Sequence, residues 1–376
     1  MSFKSLAISV TRYLGWLISF PRKYEAGISL KISMPKSHIF MGYYDVRLVC
    51  DHFIFFHKVG ANFTNMPHPP HAEILRYNRQ TGEFYKISIS KAVNWQLGSR
   101  LNSFKTDLLS MIDIENSHLI TKIMDKDGNI LETYPIPFWC FSSDGRYGFA
   151  VDFQKLSTSR PGYGYPGRVP SSLIGSFLIY DLNTKKIDFS IKVQDLPLRL
   201  SNPNDWYFNH VIISPTNKYC LTTVNSEGDA RRVIPILIDL QTYSISILEN
   251  VNFFSHPSFL DDRSILYFNG AGYVRYIFNE KVEKFIVMTK KDGHASVTDK
   301  GNFITDTYPD RFGKMQLVKI QDNGLYELFS LVNTPKYKGD LRCDLHPRVY
   351  EDLIFIDVPT KSCRSIFAVN FDEGHR

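Results

Sequence analysis

From residue 37 onward the chain reads as short apolar or alternating runs separated by Asp, Asn, Gly and Ser. HFIFFHK at 52–58, SFLIYDLNTKKIDFSI at 176–191 and IPILIDLQTYSISIL at 234–248 are typical. Alternation with a period of two is the mark of a half-buried strand, and no segment here carries the 3.6-residue stripe of a long helix. Several runs share one grammar, a strand, then D/N-x-x-T, then a second strand, which predicts a hairpin with a polar turn. Between them lies a second unit, strand–turn–strand: CFSSDGRYGFAV at 140–151, IISPTNKYCLTTV at 212–224, SFLDDRSILYF at 258–268, SVTDKGNFITDT at 296–307 and RVYEDLIFIDV at 348–358.

One of each unit makes a four-stranded repeat. Such repeats start near residues 43, 95, 138, 209, 255, 293 and 343, a spacing that suits blades with variable loops. Hairpin units cannot bury both faces alone, so radial stacking is the natural solution. The expectation is an all-β fold, a β-propeller over 37–376 with about seven blades. Six or eight blades fit the same spacing, and a tandem of β-sandwiches is the rival. The long irregular insertions, 60–72 and 154–172, are expected to be lids over one face, with His68, His71, Tyr163 and Tyr165 as lid contacts.

Residues 1–36 form a separate segment with a different pattern. Phe3, Leu6, Val10, Leu14, Leu17 and Ile18 fall at helical spacing, and Lys4, Arg12, Arg22 and Lys23 flank them. The run is too short to span a bilayer and has no small-residue cleavage site. It predicts an amphipathic helix on the inner membrane face, with Trp16 as an interfacial anchor, or a helix docked on the domain or a partner.

Composition narrows the function classes. Lys and Arg total 44 against 38 Asp and Glu, a net charge of +6 spread too thinly to argue for nucleic acid but compatible with an anionic substrate or a membrane surface. The five cysteines are odd in number and form no CxxC pair, so neither a thiolate zinc site nor a disulfide framework is indicated, and a reducing, cytoplasmic setting is expected. PGYGYPG at 161–167 is neither a P-loop nor a dinucleotide fingerprint, so no nucleotide cofactor is expected.

The strongest chemical signal is a set of histidines in register. His210 lies seven residues before Asn217, His256 six before Asp262, His294 seven before Gly301 and His346 six before Asp352; the same offset picks out Asp45 and Phe138. In a propeller the strand entering that turn is innermost, so its start lies at the mouth of the central channel and the four imidazoles converge. Such a cluster suits a divalent cation, with Asp344 or Asp306 adding oxygen, or the binding and deprotonation of an acidic substrate. A bland reading also exists, in which each histidine opens a strand and bonds a neighbouring blade's backbone; four in register weigh against it. Arg311 and Arg348 flank the same ends. Trp95, Gln96 and Arg100 in NWQLGSR, with Arg160 beside Tyr163 and Tyr165, are the remaining candidates for substrate contact, although Trp95 suits a core position equally well.

GYYD, NWQLGSRL, SSDGRY, RPGYGY, NHVIISP, TDTYPD and RCDLHPR, spread over about residues 40 to 350, resemble landmarks of a bacterial propeller family encoded among surface-polysaccharide genes. That family is in turn similar to oligogalacturonate lyase. The resemblance implies a seven-bladed cytoplasmic enzyme that holds a manganese-type cation on histidines and eliminates across a uronic-acid unit with a histidine and an arginine. By position, His294 and His346 resemble metal ligands, and His210 or His256 the other histidine. Asp344 stands where that family has a glutamine.

Three functions follow as expectations. The first is metal-assisted β-elimination on an acidic oligosaccharide, with the ion on His256, His294, His346 and Asp344, His210 as base and Arg311 or Arg348 on the developing charge. The second is a glycosyltransferase or other modifying enzyme acting on a lipid-linked glycan at the inner membrane face. The third is a non-catalytic scaffold of a biosynthetic complex.

Overall fold

The computed structural model describes residues 27–105, 107–200, 202–227, 232–298, 300–321, 324–332, 337 and 339–371. The expected N-terminal helix lies outside these residues. Seven antiparallel sheets, each built on a path of four strands, make seven blades. Blades 1 to 6 span residues 37–90, 102–134, 138–192, 206–247, 255–288 and 296–332. Blade 7 takes Arg348–Tyr350, Leu353–Pro359 and Arg364–Asn370 from the end of the chain and Ile28–Ile32 from its beginning.

That closure corrects the expected boundary at residue 37. Ile28–Ile32 pairs with the last strand, Ile32 opposite Ile366 and Leu30 opposite Ala368, so chain before residue 37 belongs to the propeller. The five-residue run ISLKI alternates as a strand does, but it is too short to stand out beside a helical pattern. Joining first and last strands in one sheet keeps the ring shut, because unzipping blade 7 exposes strand edges on both sides.

The turns show why these residues make hairpins. In the D/N-x-x-T grammar the acid or amide caps its own turn. Asp181 Oδ1 accepts from the amides of Asn183 and Thr184 at 2.8 and 2.9 Å, and Asp239 Oδ1 accepts from those of Gln241 and Thr242, both at 2.9 Å. In the inner turns one residue takes the left-handed conformation, with φ +66° at Gly145, +59° at Asn217 and +75° at Gly301. Asn and Gly tolerate that region at little cost, which is why the turn motif survives as N-K, D-G or K-G.

Apolar side chains from facing blades fill the spaces between sheets, as where Phe177 meets Phe208 with ring centroids 5.9 Å apart. The 154–172 insertion is more ordered than expected. It opens with a short helix, α1 (Phe153–Ser159), capped by Asp152, whose carboxylate accepts from the Lys155 amide at 2.9 Å. The following residues are tied to the connection between blades 1 and 2: Asn94 Nδ2 donates to the Gly164 carbonyl and Tyr165 Oη to that of Gly98, each at 3.0 Å. It is a fixed strap.

One buried group ties the fold to pH. His57 lies wholly inside blade 1, its Nδ1 3.3 Å from the Phe40 carbonyl and its Nε2 accepting from the Ser99 amide at 2.9 Å. Burial, helped by the Arg348 charge and opposed by the Phe40 hydrogen bond, lowers its pKa to about 4. In the unfolded chain the value is near 6.5. The unfolded state therefore takes up the proton first. Stability is complete above pH 6.5 and falls as pH drops toward 4, by about 3 kcal/mol for this group. Equilibrium unfolding of wild type and His57→Gln between pH 7 and 4.5 checks this: the variant is predicted to start lower and show the shallower pH slope, and equal slopes would contradict it.

Candidate functional site

Each blade sends one residue from the start of its inner strand toward the axis, and the backbone explains how. In blade 4 the pairing with the second strand slips between Asn209 and Val211, so His210 is the extra residue of a β-bulge, with φ +53°. His256 sits in a similar slip in blade 5 with φ +48°, and His346 has φ +45°. A bulge re-aims one side chain out of the ladder. A left-handed histidine costs of order 1–3 kcal/mol, which persists only where surrounding structure imposes it, commonly at functional sites. In blade 3 the extra residue is Trp139, not Phe138 as the spacing suggested, and in blade 2 Arg100 has φ +53°.

These residues form a continuous arc around the channel. Arg100 stacks on Trp139 with 4.5 Å to the ring centroid, and Trp139 lies 5.8 Å from His210. His210 is 6.4 Å from His256, His256 4.2 Å from His294, and His294 4.3 Å from His346. Blade 1 closes the circle with Tyr43, stacked on His210 at 5.3 Å and edge-on to His294 and His346 at 5.6 and 4.9 Å. The four imidazoles therefore share one volume, all buried, with Tyr43 between them.

Hydrogen bonds set the state of each ring. His346 Nδ1 lies 2.9 Å from the Gly42 carbonyl, which can only accept, so Nδ1 carries the proton. His294 Nδ1 lies 3.0 and 3.1 Å from the two oxygens of Asp306. Burial alone would raise the Asp306 carboxyl, but the His294 ring and the amides of His294 and His346 outweigh it and hold the group ionised. Burial, then the His294 ring and the Arg348 and Arg342 charges, push His346 well below its ordinary value. His346 thus turns an Nε2 lone pair inward, and neither its Nε2 nor that of His294 has a hydrogen-bond partner. The third member of the group is Asp344, and one ligand atom from each of the three residues lies within 4.8 Å of the others.

Two buried Nε2 atoms stand unmet beside the Asp344 carboxylate, which takes a hydrogen bond from Arg342 Nε at 2.7 Å. Each unmet buried group costs about 1–3 kcal/mol. A cation between them removes that cost, and imidazoles held through Nδ1 by a carboxylate or carbonyl are the usual form of metal-bound histidine. The residues therefore fit a divalent ion. His256 stands beside this group: its Nδ1 is 2.8 Å from Ser255 Oγ and 3.4 Å from Asp292, and its Nε2 is 3.2 Å from the Tyr308 hydroxyl. Burial, then the neighbouring His294, lower its pKa. His210 turns Nε2 toward Tyr43 Oη at 3.4 Å and Arg160 Nη1 at 3.5 Å. The centre is buried, while Arg160, Asp292, Tyr308 and Arg342 beside it are half-buried, and we take their side as the mouth.

Several expected contacts have other work. Asp45 and Arg100 form a buried ion pair at 2.7 Å, and Arg100 also donates to the Trp139 carbonyl, a clamp between blades. Trp95 is buried, its Nε1 donating to the Met66 carbonyl at 2.7 Å, so it offers no face for a sugar. Gln96 is buried and holds the Arg342 carbonyl at 2.7 Å. Tyr165 is an interior anchor of the strap, whereas Tyr163 reaches the site at 5.8 Å from Tyr43. Arg348 is buried and donates to the Tyr43 carbonyl at 3.0 Å and to Asp357 at 2.9 Å. Arg311 is exposed and lies over Phe312. The arginines at the site are Arg160 and Arg342. Of the lid residues expected at 60–72, His71 is exposed against Phe63 and His68 half-buried.

Tyr43, Tyr44, Trp139 and Tyr308 belong to the site without having been picked out as site residues. The signal was present in GYYD, whose tyrosines precede a strand where other blades have histidine.

The class is thus a seven-bladed propeller with a closed, histidine-rich centre. No family model and no curated sequence matches the chain. Among solved structures it is similar to an oligogalacturonate lyase from Vibrio parahaemolyticus, 11% identical, with a TM-score of 0.61 over 92% of this chain and 94% of that one. The β-propeller domain of the Trilobed protease from Pyrococcus furiosus aligns at 0.53 and 10% identity, over 89% and 95%. A chain of the Mitotic Checkpoint Complex aligns at 0.52 and 7%, over 93% and 97%. One shape shared by such different proteins speaks for the fold and leaves the chemistry to the site.

The clamp and the mouth make contrasting demands on stability. Arg100→Ala leaves Asp45 buried and unpaired and is predicted to cost about 3–5 kcal/mol. Arg160→Ala at the half-buried rim is predicted to change unfolding free energy by under about 0.5 kcal/mol. Urea titration of both variants checks the contrast; similar losses would contradict it.

Proposed function

We propose that the protein is a carbohydrate-active enzyme that cleaves an acidic saccharide by metal-assisted β-elimination. The observation that carries the proposal is the pair of unpartnered Nε2 atoms facing Asp344, beside a further histidine directed at the same space. The likeness of shape to oligogalacturonate lyase supports it as a fold able to host such a site.

His294, His346 and Asp344 would hold the ion, with His256 alongside. A divalent ion there supplies positive charge to a substrate carboxylate and so acidifies the adjacent C–H. His210 Nε2 takes that proton, and the C–H electron pair becomes the new C=C bond as the neighbouring C–O bond breaks. The leaving oxygen needs a proton. The Tyr43 hydroxyl, 3.4 Å from the same nitrogen, is placed to give it, since burial first, then Tyr163 and Tyr44, hold that phenol protonated far above its ordinary value. Asp306 and the Gly42 carbonyl orient the ligand rings, and the strap keeps bulk water from the floor.

The experiment is a survey of uronate-containing oligosaccharides with Mn²⁺ present and with chelator, read by near-ultraviolet absorbance of the unsaturated product. Product formation that needs metal is expected. His210→Ala is predicted to lower kcat by about 10²–10⁴-fold, the usual share of a general base, while metal binding persists. Silence across the survey, or a His210→Ala enzyme as fast as wild type, would overturn the reading.

A further inference from the structure

The mouth of the site has a second charged feature that elimination at the floor does not use. The strap makes a tight turn, the Tyr163 amide donating to the Arg160 carbonyl at 3.1 Å, which lays the Arg160 guanidinium 3.7 Å from the centroid of the Tyr163 ring. From blade 7, Arg342 approaches the same ring, donating to Tyr163 Oη at 2.5 Å with its guanidinium 5.4 Å from the centroid. Two cations from distant parts of the chain thus meet on one tyrosine.

Their pairing is unequal. Arg342 donates through Nε to Asp344 at 2.7 Å. Among the described residues Arg160 has no carboxylate within 4.0 Å. Asp340 lies against Gly162 of the same turn, yet it pairs with neither arginine. Asp292 is engaged by Ser255 Oγ at 2.9 Å and the Gly293 amide at 2.8 Å. A half-buried guanidinium with no carboxylate partner among the described residues, 3.5 Å from His210 Nε2, is a ready site for an anion. Arg342 is itself held in place, since Gln96 Nε2 and Arg364 Nη2 bond its carbonyl at 2.7 and 3.0 Å. Little ordering remains to be done on binding.

We propose that Arg160 and Arg342, across Tyr163, form a second anion subsite, which takes a carboxylate or a sulfate or phosphate ester on the sugar unit next to the one held at the floor. The inference rests on the acidic-saccharide reading and narrows it to substrates with two neighbouring acidic groups. Asp344 joins the two subsites. With the floor empty its charge is spent on Arg342; with a divalent ion bound there, the same carboxylate faces the ion and the mouth gains net positive charge. Anion affinity then rises, and by linkage anions tighten the ion by the same factor.

The test uses the full chain and two small probes, sulfate and D-galacturonate, followed by titration calorimetry in chelator-treated protein and with Mn²⁺. Wild type is expected to bind at least one probe without metal, and Mn²⁺ to tighten sulfate about 5-fold or more. Arg160→Gln is expected to weaken sulfate about 10-fold in both states. Arg342→Lys, which keeps the charge but not the two-point hold on Asp344 and Tyr163, is expected to lose the metal effect while still folding. Whichever probe binds tighter identifies the acidic group. The subsite is overturned if neither probe binds, or if Arg160→Gln binds both as wild type does, which places the anion elsewhere. Arginine-dependent sulfate binding without any unsaturated product would leave the subsite and sink the elimination reading. Unsaturated product together with wild-type sulfate affinity in Arg160→Gln would do the reverse.

Discussion

Two buried imidazoles turn unpartnered Nε2 atoms toward one carboxylate, and the rest of the centre is arranged to keep them so. The Gly42 carbonyl fixes the His346 tautomer, and Asp306 fixes His294 while also bonding the amides of both. Two glycines make that approach possible. A side chain on Gly42, already at φ +110°, would meet the Leu97 carbonyl at 2.9 Å, and one on Gly293 would lie 1.8 Å from the Asp306 carbonyl. Each feature costs stability where it stands, and together they leave space for a single positive charge.

A propeller suits such an arrangement because its inner strands all begin at one end of one channel. A one-residue bulge at that point turns a side chain from the ladder to the axis, and repeating the device collects side chains from residues as distant as Tyr43 and His346. The blades and the fixed strap provide the rigidity that holds these rings in strained conformations. Chemistry at the centre is thereby separated from the parts that carry stability, the Asp45–Arg100 clamp and the closure of blade 7.

Much of this was legible in the residues. The D/N-x-x-T turns and the strand–turn–strand repeats predicted hairpins and blade starts, because those motifs act locally through their own hydrogen bonds. The histidine register pointed to convergence for the same reason, since a fixed offset from a turn is a fixed place in a blade. The arginines were the least legible. Arg348 and Arg342 are six residues apart, and only tertiary contacts show that Arg348 is bound to the Tyr43 carbonyl while Arg342 faces the mouth. Trp95 and Gln96 were left between surface and core for a similar reason: a polar-looking loop gave no sign that Met66 and Arg342 would cover it. The short strand Ile28–Ile32 went unread because its partner is more than 330 residues away in sequence.

The most direct measurement is Mn²⁺ binding to the metal-free protein, followed by the electron paramagnetic resonance signal of the free ion. The account predicts loss of that signal at one ion per chain, abolished by His346→Ala and His294→Ala and retained in His57→Gln. A signal that wild type leaves unchanged, or removes as well after both histidines are gone, would show that the converging lone pairs are not a metal site.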